Sequence, residues 1–477
     1  MKIENWAARG FVALLLAACL LADQAAAAKK AKDAAVSEDA GLSLTPLDAY
    51  VAKPDANFNW DLVKTIPGDG YTGYVLQMTS QQWLTTAEVD KPIWWHWITI
   101  VVPDELKSPT AFLYIGGGNN NDAEPPDRIN PLMIPLAMQT GTIAAVLEMI
   151  PNQPLVFTND DGKKRSEDSA IAYTWKKYLD TGDPKWPMRL PMTKAAVRAM
   201  DAIAAFTGSE AGGGQAATQF VVAGGSKRGW TTWTTAAVDG RVVAIAPIVI
   251  DMLNVRPSFE HHFNVYGRYA NAVQDYVAMG LMERQDEPRY AELMKIVEPY
   301  EYGDRLQLPK FIVNATGDQF FIPDSSQFYW DDLQGEKYLR YVPNADHGMG
   351  GTDALQSVIS WYHAIVHNVP RPRFSWRIEP DGEIRVLALD APREVKLWQA
   401  NSPDARDFRK ERIKDAYQSS ALTDQGGGVY TAKVERPAQG WTAYFVELTY
   451  DSGISIPFKF TTGVKVVPDE YPKHKKK

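Results

Sequence analysis

The 477-residue chain has a single cysteine, Cys19. One thiol forms neither an intramolecular disulfide nor a cysteine-rich metal site, which excludes small stapled domains and zinc-ribbon chemistry. Clustered positive charge is also missing. The chain has 50 Lys+Arg against 58 Asp+Glu, a net charge of −8, and one basic block, the terminal "KHKKK". Affinity for a phosphate backbone comes from grouped Lys and Arg, so no nucleic-acid partner is expected. No stretch reaches the ~18 apolar residues of a membrane-spanning helix, and no period of ~20–50 residues marks a solenoid or propeller. What remains is globular material, 45% hydrophobic and 23% charged. At ~100–200 residues per domain it is long enough for two or three domains.

The N-terminus has basic Lys2 and Arg9, an apolar run over residues 11–22 and small residues ending at Ala28. That run falls short of the ~20 residues needed to span a bilayer, so residues 1–28 read as an export signal rather than a permanent anchor. The "AAAA" of residues 25–28 suits ordinary signal peptidase. "LAAC" instead resembles a lipobox, in which case Cys19 would carry a lipid. The expected location is the periplasm or the medium, with an envelope lipoprotein as the alternative. Residues 29–42, polar and alanine-rich, read as a flexible linker.

From Trp94 the pattern alternates. "WWHWITIVVP", "AFLYIGGG", "TIAAVLEMIP", "TQFVVAGG", "VVAIAPIVI", "PKFIVNATG" and "KYLRYVPN" read as strands rich in β-branched and aromatic residues. "MTKAAVRAMDAIAAF" has helical periodicity, with Thr193 as its expected cap. Strands alternating with helices predict an α/β fold, a mostly parallel sheet flanked by helices, over residues 43–370. In such sheets, ligands bind at the carboxyl ends of the strands. An aromatic and polar stretch, residues 152–192, is too long for a simple connection and reads as an inserted lid or binding loop. After Pro370 short alternating segments separated by "DG", "GGG" and "SG" predict an Ig-like β-sandwich over residues 371–467. Residues 468–477 form a basic tail.

"VVAGGSKRGW" places Ser226 between an expected strand and an expected helix, with Gly224 two residues before it and Gly229 three after. A serine on such a strained turn is a nucleophile elbow, although the pattern here is G-x-S-x-x-G and Arg228 occupies the second position after the serine. Asp318 in "NATGDQFF" and His347 in "VPNADHGM" each lie just past a later strand, 92 and 29 residues further on in turn. Ser, then Asp, then His is the chain order of the α/β-hydrolases. Asp318 would orient His347, which would take the proton of Ser226. Asp324 and Asp251 are rival acids. The N–H groups of Lys227, just after the serine, and of Gly117, in "YIGGGNNND", are the expected oxyanion donors. His363 and His367 have metal-ligand spacing but no third ligand, so neither a metal nor a cofactor is expected. Trp230, Trp233, Arg228 and the aromatic residues of the insertion are candidate pocket walls, and no substrate-binding residue is assigned.

"GGSKRGWTTW", "GDQFFIPDSSQFYWDDL", "VPNADHGM" and "IPNQPL" together resemble the PhoPQ-activated pathogenicity-related family, which includes autocrine-proliferation-repressor-like proteins. The resemblance runs from about residue 45 to residue 465. It implies an exported α/β-hydrolase-like protein with a trailing β-domain, and it carries the triad over as Ser226, Asp318 and His347. "GGSKRG" also resembles the GxSKGG elbow of some exported serine aminopeptidases, with Arg228 standing where those have glycine.

The expected function is hydrolysis of an ester or peptide bond through an acyl-enzyme on Ser226, with a small molecule or peptide as substrate. The alternative is a catalytically silent hydrolase fold that binds or signals at the cell envelope. A carbohydrate esterase using tryptophans as sugar platforms is a third possibility.

Overall fold

The long apolar runs fold as strands of one twisted sheet in the computed structural model, which describes residues 44–474. The expected export signal, Cys19, the expected linker and the last three residues lie outside the described residues. The strands are β1 (Asn59–Pro67), β2 (Tyr71–Gln82), β3 (Ile93–Pro103), β4 (Thr110–Ile115), β5 (Ala144–Leu147), β8 (Gln219–Gly225), β9 (Val242–Ile248), β10 (Lys310–Ala315) and β11 (Lys337–Val342). A short hairpin, β6 (Leu155–Val156) with β7 (Lys164–Arg165), stands apart. The sheet order is β1-β2-β3-β5-β4-β8-β9-β10-β11. Strands β1, β2, β3 and β5 pair antiparallel, and every pair from β5 to β11 is parallel. The result is a mixed sheet, antiparallel at one edge and parallel over the rest, flanked by helices.

Alternation along the central strands explains how both faces are covered. Leu113, Ile115 and Val222 join one apolar cluster with helix α4 (Arg189–Gly208) and helix α5 (Lys227–Val238). Phe112, Val221 and Ala223 join the other, with helix α2 (Met133–Thr140) and helix α9 (Ala354–Val366). Successive side chains point to opposite faces, so a strand buried on both sides must be apolar throughout. The remaining helices are α1 (Pro46–Ala52), α3 (Glu167–Thr181), α6 (Val255–Tyr266), α7 (Gln274–Ala278), α8 (Pro288–Val297) and α10 (Lys410–Ile413).

Helix α4 corrects one expectation. It starts at Arg189, so Thr193 is not its cap but an interior residue whose hydroxyl donates to the Arg189 carbonyl at 3.0 Å. Pro191 is tolerated there because the first turn of a helix has no intrahelical acceptors for its N–H groups.

Beyond α9 the chain forms two antiparallel sheets. One is β12 (Phe374–Ile378), β13 (Ile384–Ala388) and β16 (Val429–Ala432). The other is β15 (Gln418–Ala421), β14 (Glu394–Ser402), β17 (Trp441–Tyr450) and β18 (Phe458–Thr461), with β19 (Lys465–Val467) also on β17. Their apolar residues, including Val386, Val446 and Phe460, share a cluster with Phe311 and Trp361 of the main sheet and α9. Tyr338 of β11 stacks on Phe460 with ring centres 4.2 Å apart. Buried Arg340 of β11 pairs with buried Glu447 of β17. The described residues from Pro46 onward form one compact unit.

Candidate active site

Strand β8 ends in two glycines and helix α5 begins at Lys227, which leaves Ser226 alone to reverse the chain direction. Ser226 does so at φ 57°, ψ −125°. A non-glycine residue with positive φ holds strain that the surroundings must enforce. Here the Ser226 N–H donates to Ile248 O at 2.8 Å, and Trp230 N–H donates to Ser226 O at 3.0 Å. A Cβ on Gly224 would lie 2.7 Å from Arg228 O, and one on Gly229 would lie 2.9 Å from Gly224 O. The strand end and the first helical turn therefore touch backbone to backbone, and that contact requires glycine at both positions. With Gly229 filling this role, the position after Lys227 is free to carry a long side chain.

Strands β10 and β11 run parallel in register, Ala315 opposite Val342, so the loops after them leave the same sheet edge as Ser226. Gly317 N–H donates to Ala345 O at 2.9 Å and Asn344 N–H to Thr316 Oγ1 at 3.1 Å, which stitches the two loops together. His347 Nδ1 and Asp318 Oδ2 then meet at 2.8 Å. The other carboxylate oxygen, Oδ1, accepts Phe320 N–H at 2.7 Å and Phe321 N–H at 3.3 Å. Gln319 Oε1 accepts the His347 N–H at 3.1 Å, and the Phe320 ring lies 4.4 Å from the imidazole.

The rival acids are spent elsewhere. Asp324 pairs with His261 at 3.0 Å and Arg406 at 2.7 Å. Asp251 accepts the hydroxyls of Tyr329 and Tyr341 at 2.5 and 2.6 Å. Burial pushes the Asp251 carboxyl up to about 8 against the pull of those two donors. The Asp346 carboxylate accepts from Gly348 N–H in its own loop, at 2.9 Å.

Ser226 and His347 line one cavity of about 660 Å³ together with Arg228, Val249, Phe320 and Met349. Among the described residues no hydrogen bond links the Ser226 hydroxyl to the His347 ring. Such bonds are often long in unliganded sites and tighten around substrate. A second, smaller cavity of about 40 Å³ is also lined by Ser226, and Lys227 and Phe320 are common to both.

The two cations after the serine are clamped by the start of helix α3. Glu167, the first residue of α3, binds Lys227 Nζ at 2.8 Å and Arg228 Nη2 at 2.5 Å, and Asp168 adds a 3.0 Å contact to Lys227. Burial raises the Glu167 carboxyl, but Arg228 and Lys227 outweigh it and hold the group down at about 2. Glu167 adopts φ 52°, as strained as Ser226, Val249 and Met349 at the same site. Arg228 Nε also donates to Ile150 O at 2.5 Å.

Residues 47–409 match the model of the PhoPQ-activated pathogenicity-related protein family. The chain belongs to that family. Autocrine proliferation repressor protein A of Dictyostelium discoideum is 38% identical over 461 residues, 91% of this chain and 92% of that protein. Among solved structures, an acetyl xylan esterase from Paenibacillus sp. R4 is 14% identical, with a TM-score of 0.47 over 67% of this chain and 92% of its own. A glucuronoyl esterase from Solibacter usitatus is 12% identical, with a TM-score of 0.41 over 68% and 90%. At these values the structural likeness carries no inference about activity.

For this family member the structure brings Asp318 to His347 and both Ser226 and His347 to one cavity. The Lys227 amide heads α5, where it has no intrahelical acceptor. Gly117 is two residues past Ile115, which pairs with Gly224 two residues before Ser226. It does not line either cavity, and its carbonyl accepts Met149 N–H at 2.7 Å. The Arg228 guanidinium lies against it, so that a Cβ there would come within 2.8 Å of Nη2. Trp230 and Trp175 line the small cavity, whereas Trp233 is buried in the core. His367 donates to Thr140 O at 2.7 Å, and among the described residues no group of three acidic, His or Cys side chains is placed to hold a metal. Among the described residues no helix is long and apolar enough to cross a membrane. Sequence reasoning missed Glu167. The one visible signal was the acidic pair opening a helix inside the insertion, and nothing local connects it to cations 61 residues away.

Proposed function

We propose that this protein is an exported serine hydrolase that cleaves an ester or peptide bond through an acyl-enzyme on Ser226. The observation that carries the reading is the strained Ser226 sharing a cavity with His347, whose Nδ1 is held by buried Asp318. With Nδ1–H donated to Asp318, Nε2 of His347 is the unprotonated nitrogen that takes the Ser226 proton as Oγ attacks the substrate carbonyl. Asp318 stabilises the imidazolium that results. The oxyanion of the tetrahedral intermediate is met by the N–H of Lys227, reinforced by the positive end of helix α5; Gly117, the second donor, lines neither cavity before substrate binds and has to be drawn to the oxyanion when it does. His347 returns the proton to the leaving group, and water repeats the sequence to release the acid. Glu167 acts as a positioning residue that holds the first turn of α5 through Lys227 and Arg228.

The same reading takes residues 1–28 as an export signal, with Cys19 as the lipid site in the lipoprotein alternative. It takes residues 43–370 as the hydrolase domain, with the insertion at 152–192, and the two C-terminal sheets, 371–467, as an Ig-like sandwich. Support for the last assignment is two antiparallel sheets sharing one apolar cluster.

The test is labelling of the purified protein by a fluorophosphonate. Rapid labelling that is lost in Ser226→Ala and slowed in Asp318→Ala and His347→Ala is the expected result. No labelling of folded wild-type protein would instead make it a silent hydrolase fold that acts by binding.

A further inference from the structure

Ser226 stands where two cavities of very different size meet. The smaller, about 40 Å³, has walls of Trp175, Trp230, Ile250, Met252, Val255 and Phe259. Its polar lining groups bond one another, with Arg189 Nε and Trp175 Nε1 buried and unpaired among the described lining residues. Asp168 accepts the Tyr276 hydroxyl at 2.9 Å and Lys227 at 3.0 Å, while Arg189 donates to the Lys227 carbonyl at 2.8 Å and lies over the Trp230 ring at 4.5 Å. The larger, about 660 Å³, is the one that His347 lines. Phe320 belongs to both, and with its neighbour Phe321 it packs on the imidazole.

The chemistry assigns the two sides. The histidine that accepts the serine proton must hand it to the leaving group, so the leaving group lies within reach of His347, in the large cavity. The acyl substituent then faces the small one. A water-sized group occupies roughly 10–15 Å³ of such space, which leaves room for an acyl tail of about two to four carbons. A longer tail has to displace Trp230 or Met252, both buried in the core beneath the sheet edge. We infer that the substrate is a short-chain acyl ester or amide of a bulky alcohol or amine, and that the protein is a deacylase rather than a long-chain lipase. This inference rests on the hydrolase reading. In the reaction, the Ser226 Oγ–acyl carbon bond forms as the bond from that carbon to the leaving oxygen or nitrogen breaks. The serine proton passes through His347 to the departing atom, and water then cleaves the acyl-serine to release a short carboxylic acid and restore the serine proton.

A series of p-nitrophenyl acetate, butyrate and octanoate holds the leaving group constant and varies only the acyl chain. The expected result is a fall in kcat/KM of at least 30-fold from acetate to octanoate, with a smaller step at butyrate. Met252→Ala, which enlarges the small cavity, is expected to raise kcat/KM for octanoate relative to acetate by about 10-fold. A flat or rising wild-type profile with Ser226 labelled would overturn the small acyl side and leave the hydrolase reading standing. Neither labelling nor hydrolysis of any ester by folded protein would remove both. Should Met252→Ala fail to fold, the wild-type profile decides the matter alone.

Discussion

Replacing Asp318 by asparagine changes one atom's chemistry and almost no volume, and the structure dictates where that atom goes. Oδ1 of Asp318 accepts two backbone N–H groups, from Phe320 at 2.7 Å and Phe321 at 3.3 Å. An amide nitrogen placed there would put donors against donors. The substituted side chain is therefore expected to keep its carbonyl at that position and turn its NH₂ towards His347 Nδ1, in place of the oxygen now 2.8 Å away. A donor at that point forces His347 to accept at Nδ1 and to carry its proton on Nε2, the nitrogen that the proposed mechanism needs bare to take the proton of Ser226. The wrong tautomer in a Ser-His-Asp site costs about 10⁴-fold in turnover, equivalent to roughly 5.5 kcal/mol at about 1.36 kcal/mol per decade. Stability should change little because both backbone N–H groups keep their acceptor. The assay is the rate of fluorophosphonate labelling of wild type and Asp318→Asn at equal protein concentration, with thermal melts beside it and nitrogen-15 spectra of the imidazole to report the tautomer. A variant that labels within tenfold of wild type, with the proton still on Nδ1, would refute the reasoning.

Three further outcomes are expected. Gly117→Ala drives a methyl to 2.8 Å from Arg228 Nη2 while Glu167 and Ile150 hold that guanidinium. It should slow labelling by about tenfold or more with little change in melting temperature, and an unchanged rate would remove Gly117 from the reacting centre. Glu447→Ala removes one of the two carboxylates on Arg340, which is 1% exposed and keeps Asp353 at 3.0 Å, and should cost about 1–3 kcal/mol in denaturant titrations, while the double variant Arg340→Met/Glu447→Leu should recover most of it. The Asp251 carboxyl at about 8 lies above its ordinary value of 3.8 because burial disfavours the charge, so the folded protein keeps a proton that the unfolded chain releases. The resulting stability is complete below about pH 4 and is lost as pH rises towards about 8, at about 1.4 kcal/mol per unit for one proton. Asp251→Asn should flatten the fall in unfolding free energy between pH 5 and pH 8 by about one proton's slope, and an unaltered slope would show that Asp251 is already ionised.

Local patterns were legible because local physics sets them. Apolar runs such as "FIVNA" and "FVVAG" belong to strands buried on both faces. The Gly-Ser-Gly spacing around Ser226 reflects backbone contact between Gly224 and the first helical turn, and a residue's chain neighbours enforce both features. Helix α4 shows the limit even at short range. Periodicity located the helix but not its first turn, because the turn before Thr193 is buried by packing rather than marked by a cap.

The order serine, acid, histidine and the alternation of strands and helices were properties of the chain itself. Which aspartate serves His347 was not, since Asp318 and Asp324 sit in one loop and differ only in where the paired ends of β10 and β11 aim them. The Glu167 clamp on Lys227 and Arg228, the contact of Gly117 with Arg228, and the two unequal cavities at Ser226 were likewise decided by tertiary structure. Each joins residues tens of positions apart whose meeting depends on how sheet, helices and insertion pack. The strand-forming and turn-forming tendencies of a segment depend on its own side chains, whereas a charge pair or a cavity wall depends on the segments that arrive beside it.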